Sequence, residues 1–321
     1  MNFFLLALGV GMLTIGGEAL IRGSLSTAKR FGVSPLLSGL VIVGFGTSAP
    51  ELVVSVDAAL NHRPDIAIGN VVGSNIGNIL LILGICALIT PMAVKPLILR
   101  RDAVTVVFAS MLFLVLVLVG SSVLGQTDAL ILLMTLVAYL VWAYWSESSQ
   151  AAPSAEVHQA EFEELTALPG SAVWTVITLI AGLLLLIAGS QVLLVGAVGI
   201  AEHYKVSESV IGLTLVAVGT SLPELSISII AALRRHADVA IGNVLGSNIF
   251  NLLGILGVSA ILQPLPVHER ILQFDQWVML GTSLLLLLFL YTGNRLGRLE
   301  GGVLLTGYVV YVVLSFTQFG S

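Results

Sequence analysis

The chain has 321 residues, of which 57% are hydrophobic and 10% charged, with a formal net charge of −5. Soluble domains carry roughly 25% charged residues, so this inventory cannot cover a water-soluble surface. The balance of 13 Lys+Arg against 18 Asp+Glu excludes a basic nucleic-acid face. A single cysteine, Cys86, excludes an internal disulfide or a thiolate zinc site, and its apolar surroundings assign it to packing.

Taken in chain order, apolar stretches of bilayer-spanning length parted by polar or Gly/Pro punctuation predict ten transmembrane helices. They cover roughly 2–27, 35–60, 65–90, 102–120, 127–146, 171–201, 208–233, 238–262, 272–292 and 299–319. The first has no basic segment before it and continues through Gly16, Gly17 and Glu18, as a retained helix does and a cleaved leader does not. Residues 147–170 form an acidic linker with Glu147, Glu156, Glu161, Glu163 and Glu164 but no Lys or Arg. Placing both termini outside puts ten basic residues on the cytoplasmic side, among them Arg22, Arg100, Arg101, Arg234 and Arg235, and leaves Arg63, Lys205 and Arg270 outside. That positive-inside bias makes the linker cytoplasmic and predicts a multi-pass protein of the cell membrane.

An internal repeat organises the chain. Residues 39–84 align with 212–257 at a constant offset of 173 without a gap, and 28 of the 46 positions are identical. The strongest matches are GTSAPE (46–51) with GTSLPE (219–224), and GNVVGSNIGN (69–78) with GNVLGSNIFN (242–251). Each copy covers the second and third spans of a five-helix half, 1–146 or 171–321. Five is odd, so the second half enters the membrane with opposite polarity. The expected fold is an all-α polytopic membrane protein whose ten transmembrane helices form two inverted five-helix repeats, an organisation typical of secondary transporters. Packing alone would explain shared Gly and Ala, but not a shared Glu at membrane depth.

Glu51 and Glu224 occupy matching places deep in their spans, where an ionised carboxylate costs several kcal/mol unless its charge is met. No Lys or Arg lies in either motif, so the countercharge must be a bound cation or a proton. Thr47 and Ser48 precede Glu51 by four and three residues, as Thr220 and Ser221 precede Glu224, so helical spacing places them on the Glu face. Pro50 and Pro223 are expected to kink these helices and free carbonyls near Gly46 and Gly219. Ser74 with Asn78, and Ser247 with Asn251, are i,i+4 pairs on the next helix. Glycines 69, 73, 242 and 246 allow close helix approach. Ser55 and Ser228 are read as bonding back to their own helices. Carboxylate, hydroxyl, amide and carbonyl oxygens suit Ca2+, Na+ or Mg2+; a crowded site with two Glu fits Ca2+ better than Mg2+, which keeps its waters.

These motifs resemble the calcium/cation antiporter superfamily, specifically the prokaryotic Na+/Ca2+ exchangers, over nearly the whole chain. The resemblance implies exchange of Na+ for Ca2+ by alternating access, with Ca2+ and Na+ as transported substrates, no cofactor and no obligate protein partner. It makes Glu51 and Glu224 the central Ca2+ ligands, and it gives Thr47 and Thr220 side-chain and backbone oxygens in shared Ca2+ and Na+ sites. Ser48, Ser221, Ser74 and Ser247 would complete flanking Na+ sites with the carbonyls of Gly44 and Ala217, while Asn78 and Asn251 line the centre. Spans 2–27 and 171–201 would be the long helices that slide during switching. The chain departs from some relatives, K+-dependent exchangers among them, that carry Asp where it has Asn251; K+-independent transport is therefore expected. The linker has no room for the regulatory Ca2+-binding domains of animal exchangers.

The nearest alternative is a Ca2+/H+ exchanger in which the two Glu cycle protons. Relatives of that kind usually carry an extra acid soon after each Gly-Asn, where this chain has Val71, Val72, Gly73 and Ser74, and Val244, Leu245, Gly246 and Ser247. A channel is a weaker option, because inverted repeats favour alternating access. An intramembrane hydrolase is not supported: all five histidines (62, 158, 203, 236 and 268) fall at span ends or in loops. Glu18 and Asp57 are assigned packing or interfacial roles. Asp65 and Asp238 are read as helix N-terminal acids.

Overall fold

The computed structural model describes residues 2–31, 35–94, 98–120, 122–148, 171–203, 219–293 and 295–319. The chain is predominantly helical. We label α1 Asn2–Phe31; α2 in two pieces, Gly39–Thr47 and Ala49–Leu60; α3 Pro64–Ile89; α4 Arg101–Val119; and α5 Gln126–Ser148. The second half supplies α6 Ala172–His203, α7 Leu222–Leu233, α8 Ala237–Leu262, α9 Ile271–Gly293 and α10 Arg298–Phe319. Among the described residues eight helices are long and apolar enough to cross a bilayer, or nine if the bent α2 is one span. The first part of the predicted 208–233 span lies outside the described residues, as does the linker from 149 to 170.

The core sits on α3 and α8, the most buried of the long helices, with α2 and α7 packed beside them. The first piece of α2 lies directly on α8: a Cβ at Gly44 would stand 2.9 Å from the Ser247 backbone nitrogen, and one at Gly246 would collide with the Leu40 carbonyl. Wider π-helical turns at Gly39–Gly44, Asn78–Leu83 and Phe250–Ile255 interrupt these central helices, a feature often found at functional sites.

Long α1 and α6 pack chiefly on each other, antiparallel, on the outside of this core. Glycines recur every seven residues at 9, 16 and 23 and, at the same 173-residue offset, at 182, 189 and 196. A Cβ on Gly16 would meet the Gly182 carbonyl at 2.8 Å, so bare backbone on both sides permits the contact.

The 173-residue offset extends to the periphery. Strand β1 (Met92–Ala93) pairs with β4 (Arg295–Leu296), and β2 (Val123–Leu124) pairs with β3 (Leu265–Pro266), so each short ladder joins the two halves. His62 and Arg235, again 173 apart, both take positive φ (56° and 61°) in the turns after α2 and α7. Asp102 accepts from Arg101 Nε at 2.6 Å and Tyr139 Oη at 2.8 Å; Asp275 accepts from Arg270 Nε at 2.9 Å and Tyr311 Oη at 3.0 Å. These clusters tie α4 to α5 and α9 to α10. Arg101, counted in the sequence as a loop charge, is buried because Asp102 and the end of α5 satisfy its guanidinium. Cys86 is buried and apolar-packed, as expected.

Candidate ion-binding site

Each buried Glu stands in the first turn of a helix that begins directly after a break. Ser48, at φ −80° and ψ 7°, separates the two pieces of α2, which are bent by 48°. Ser221, at φ −90° and ψ 10°, precedes α7 in the same way. In α2 the expected proline kink within a continuous helix is thus a full break. Pro50 and Pro223 fall at the new helix starts, where a missing N–H costs nothing. Glu51 and Glu224 therefore meet the positive ends of two helix dipoles, and both are 1% exposed.

The break also redirects the hydroxyls. Helical spacing would assign Ser48 to Glu51 and Ser221 to Glu224. Instead Ser48 Oγ donates to Glu224 Oε1 at 3.0 Å, and Ser221 Oγ donates to Glu51 Oε1 at 3.1 Å. Each half thus supplies a donor to the other half's carboxylate, because the bend at the serine turns its side chain across the interface. Thr47 Oγ1 lies 3.1 Å from Asn243 Oδ1 and 3.3 Å from the Gly44 carbonyl. Ser247 Oγ donates to the same carbonyl at 3.0 Å, and Ser74 Oγ lies 3.4 Å from Ser221 Oγ. Thr220 is half-buried beside the second break. Ala217 lies outside the described residues.

Two pairs of asparagines that the sequence reading left unassigned complete the arrangement. Asn70 Nδ2 donates to the Glu51 carbonyl at 3.3 Å and to Ser55 Oγ at 3.0 Å; Asn243 Nδ2 donates to the Glu224 carbonyl at 3.2 Å and to Ser228 Oγ at 2.8 Å. They clasp each Glu-bearing helix to the next. Ser55 and Ser228 accordingly serve the neighbouring helix: Ser55 Oγ also donates to the Ala67 carbonyl at 3.3 Å, in place of the back-bond expected within its own helix. Nearer the centre, Asn75 and Asn248 each donate to the other's backbone carbonyl at 3.3 Å. Asn78 Nδ2 donates to Asn248 Oδ1 at 2.9 Å, and Asn251 Nδ2 to Asn75 Oδ1 at 3.3 Å. Identity between the repeat copies at Gly-Asn and Ser-Asn was the available signal, but identity alone does not say what an amide touches.

Seven buried side-chain polar atoms among the described residues have no hydrogen-bond partner, and four belong to these motifs: Glu51 Oε2, Glu224 Oε2, Asn78 Oδ1 and Asn251 Oδ1. All four are oxygens that need a positive partner, two from each half. Orphaned buried acceptors are costly, and carboxylate oxygens more so than amides. Among the described residues no cluster of three or more His, Cys, Asp or Glu exists. The donor set is hard oxygen, suited to alkali or alkaline-earth cations.

The family model for sodium/calcium exchanger proteins matches residues 1–145 and 174–317. The chain belongs to the sodium/calcium exchanger family. It thereby falls in the calcium/cation antiporter superfamily, with the prokaryotic Na+/Ca2+ exchangers. CaxA of Alkalimonas amylolytica is 38% identical over 97% of each chain. The sodium/calcium exchanger MaX1 of Methanosarcina acetivorans is 33% identical over 98% of each. A solved structure of the sodium-calcium exchanger NCX_Mj, soaked with Na+ and Ca2+, superposes with a TM-score of 0.81 at 32% identity, covering 97% of both chains. This exchanger-family protein is therefore a multi-pass membrane cation transporter rather than an enzyme, with Na+ and Ca2+ the family's substrates.

Elsewhere, Asp65 and Asp238 stand in the first turns of α3 and α8, where the dipole favours them. Glu18 forms ion pairs with Arg22 at 2.8 Å and Arg234 at 3.3 Å. Asp57 Oδ1 accepts from exposed Asn61 at 3.1 Å. None of these contacts joins the buried cluster.

Proposed function

We propose that the chain exchanges Na+ for Ca2+ by alternating access, without K+, and that Glu51 and Glu224 hold Ca2+ at the centre. The observation that carries this reading is the set of four orphaned buried oxygens, two carboxylate and two amide, contributed equally by the repeat copies. Two carboxylates carry a formal charge that one divalent cation neutralises. Asn78 and Asn251 add neutral oxygens. Thr47 and Thr220 give side-chain and backbone oxygens to shared Ca2+ and Na+ sites, and Ser48, Ser221, Ser74 and Ser247, with the Gly44 carbonyl, flank the centre as Na+ ligands.

Shared oxygens give the coupling. Filling by Ca2+ excludes Na+, and an empty site carries two uncompensated charges that are too costly to move through a low-dielectric barrier. Switching is then permitted only when ions compensate the charge. The antiparallel packing of α1 on α6, the reciprocal strand pairs and the 173-residue offset support ten spans in two inverted halves, 1–146 and 171–321, joined by the 147–170 linker. The distribution of basic residues supports external termini and a cytoplasmic linker in the cell membrane. Asn251, a neutral amide, supports K+ independence. We place no protein partner in the transport cycle.

The test is Ca2+ uptake into vesicles under an outward Na+ gradient and, separately, an equal outward H+ gradient. Uptake with Na+ and not with H+ is expected, unchanged by K+. Uptake driven by H+ alone would replace this reading with Ca2+/H+ exchange.

A further inference from the structure

Resting on the proposed ion site, we infer that Asn75 and Asn248, which supply no orphaned oxygen themselves, are positioning residues that determine which atom of Asn251 and Asn78 faces the cation. A carboxamide has an oxygen face and an NH2 face of nearly equal shape, and only the first can coordinate a cation. Packing alone cannot tell these faces apart; a hydrogen-bond chain anchored on an unambiguous group can.

The backbone carbonyls provide the anchor, because a carbonyl only accepts. The Asn248 carbonyl takes a hydrogen bond from the Asn75 side chain, so Nδ2 of Asn75 must face it and Oδ1 must face the other way. That Oδ1 is the acceptor 3.3 Å from Asn251, which must therefore present Nδ2 to it and turn its own Oδ1 toward the centre. The mirror chain runs from the Asn75 carbonyl through Asn248 to Asn78, closing at 2.9 Å. The oxygens left without a protein partner at the ends of these chains are Asn251 Oδ1 and Asn78 Oδ1. Asn75, Asn78, Asn248 and Asn251 are each at most 1% exposed, so water does not substitute for any link. Each chain crosses between the repeat copies twice, which makes the orientation of an amide in one half depend on backbone in the other.

The two oxygens of a carboxylate are equivalent, which yields a decisive experiment. Asn75→Leu keeps the shape but removes the acceptor that holds Asn251, so an NH2 can rotate toward the ion. The apparent KM for Ca2+ is expected to rise roughly tenfold, within the cost of an unmatched buried polar group, with little change in maximal rate. Asn251→Asp in the native background sets a carboxylate oxygen against Asn75 Oδ1, two acceptors face to face, and is also expected to raise KM. Combined, Asn75→Leu with Asn251→Asp removes that clash and offers oxygen whichever way the group turns, so KM should fall below that of either single variant. A purely structural role for Asn75 predicts additive losses and no rescue. Additivity, or an unchanged KM in Asn75→Leu, would overturn the inference. The cycle is repeated with Asn248→Leu and Asn78→Asp, which serves if Leu at 75 prevents folding, and thermal unfolding is followed throughout. Glu51→Gln separates the two levels: if it abolishes uptake while the asparagine cycle is additive, only the positioning inference fails. If it transports normally, the ion-site reading itself fails.

Discussion

The two repeat copies, 39–84 and 212–257, are close to one another where they meet and different where they face outward. At the centre the main polar contacts come in matched pairs: Ser48 on Glu224 and Ser221 on Glu51, Asn75 on Asn248 and the reverse, Asn70 and Asn243 each on their own Glu helix. At the flanks the counterparts part company. Ser190 of α6 donates to the Gly219 carbonyl at 2.7 Å, the carbonyl four residues before Pro223, while the matching position in α1 is Gly17. Phe250 stacks on Phe45 with centroids 4.4 Å apart, while its counterpart is Gly77. Glu18 pairs with Arg234, while the corresponding residues are Gln191 and Asn61. In the proposed site, groups from both halves that face one centre have to match, whereas the outer contacts do not, even the two that also join the halves.

That contrast can be broken at its strongest point by Glu51→Gln and Glu224→Gln. Each should abolish Na+-driven Ca2+ uptake in vesicles, and to the same extent, because either change halves the central charge. Substantial transport in one variant would show that the copies are not equivalent at the centre. A smaller, still symmetric effect is expected from Ser48→Ala and Ser221→Ala. Each removes a hydroxyl donor from the opposite carboxylate, worth about 1.5 kcal/mol, or roughly a tenfold change in apparent Ca2+ affinity. Double-mutant cycles read in thermal stability rather than transport sharpen the point: Ser48 should couple to Glu224 and not to Glu51. The smallest effect belongs to the asymmetric flank. Glu18→Gln or Arg234→Gln removes a partly exposed ion pair, worth at most ~1 kcal/mol, read as a slight change in transport rate that fades at high salt. Installing Gln191→Glu with Asn61→Arg would test whether the other copy can accept the same tie.

Much of the site was legible in the sequence because its parts were unusual for their setting. Glu51 and Glu224 stood out as acids in apolar spans, and the constant offset paired them without any structure. Residues whose types are ordinary in a membrane helix were harder to read. The sequence left Asn70 and Asn243 without a role, which their hydrogen bonds to the Glu helices supply. Arg101 read as a loop charge because nothing in the sequence marks Asp102, or Ala143 and Ser146 on α5, as its partners.

The sequence by itself determined membrane residence, the repeat and the pairing of Glu51 with Glu224 across it, since each depends on composition or a fixed spacing along the chain. Only the tertiary structure decided which residue serves which. Helical periodicity predicts neighbours on the same helix, yet the chain breaks at Ser48 and Ser221 turn those hydroxyls across to the opposite half. The amide orientations depend on backbone carbonyls 173 residues away in sequence. A spacing rule carries no information about a partner brought near by folding, and at this site those partners select the atoms that point inward.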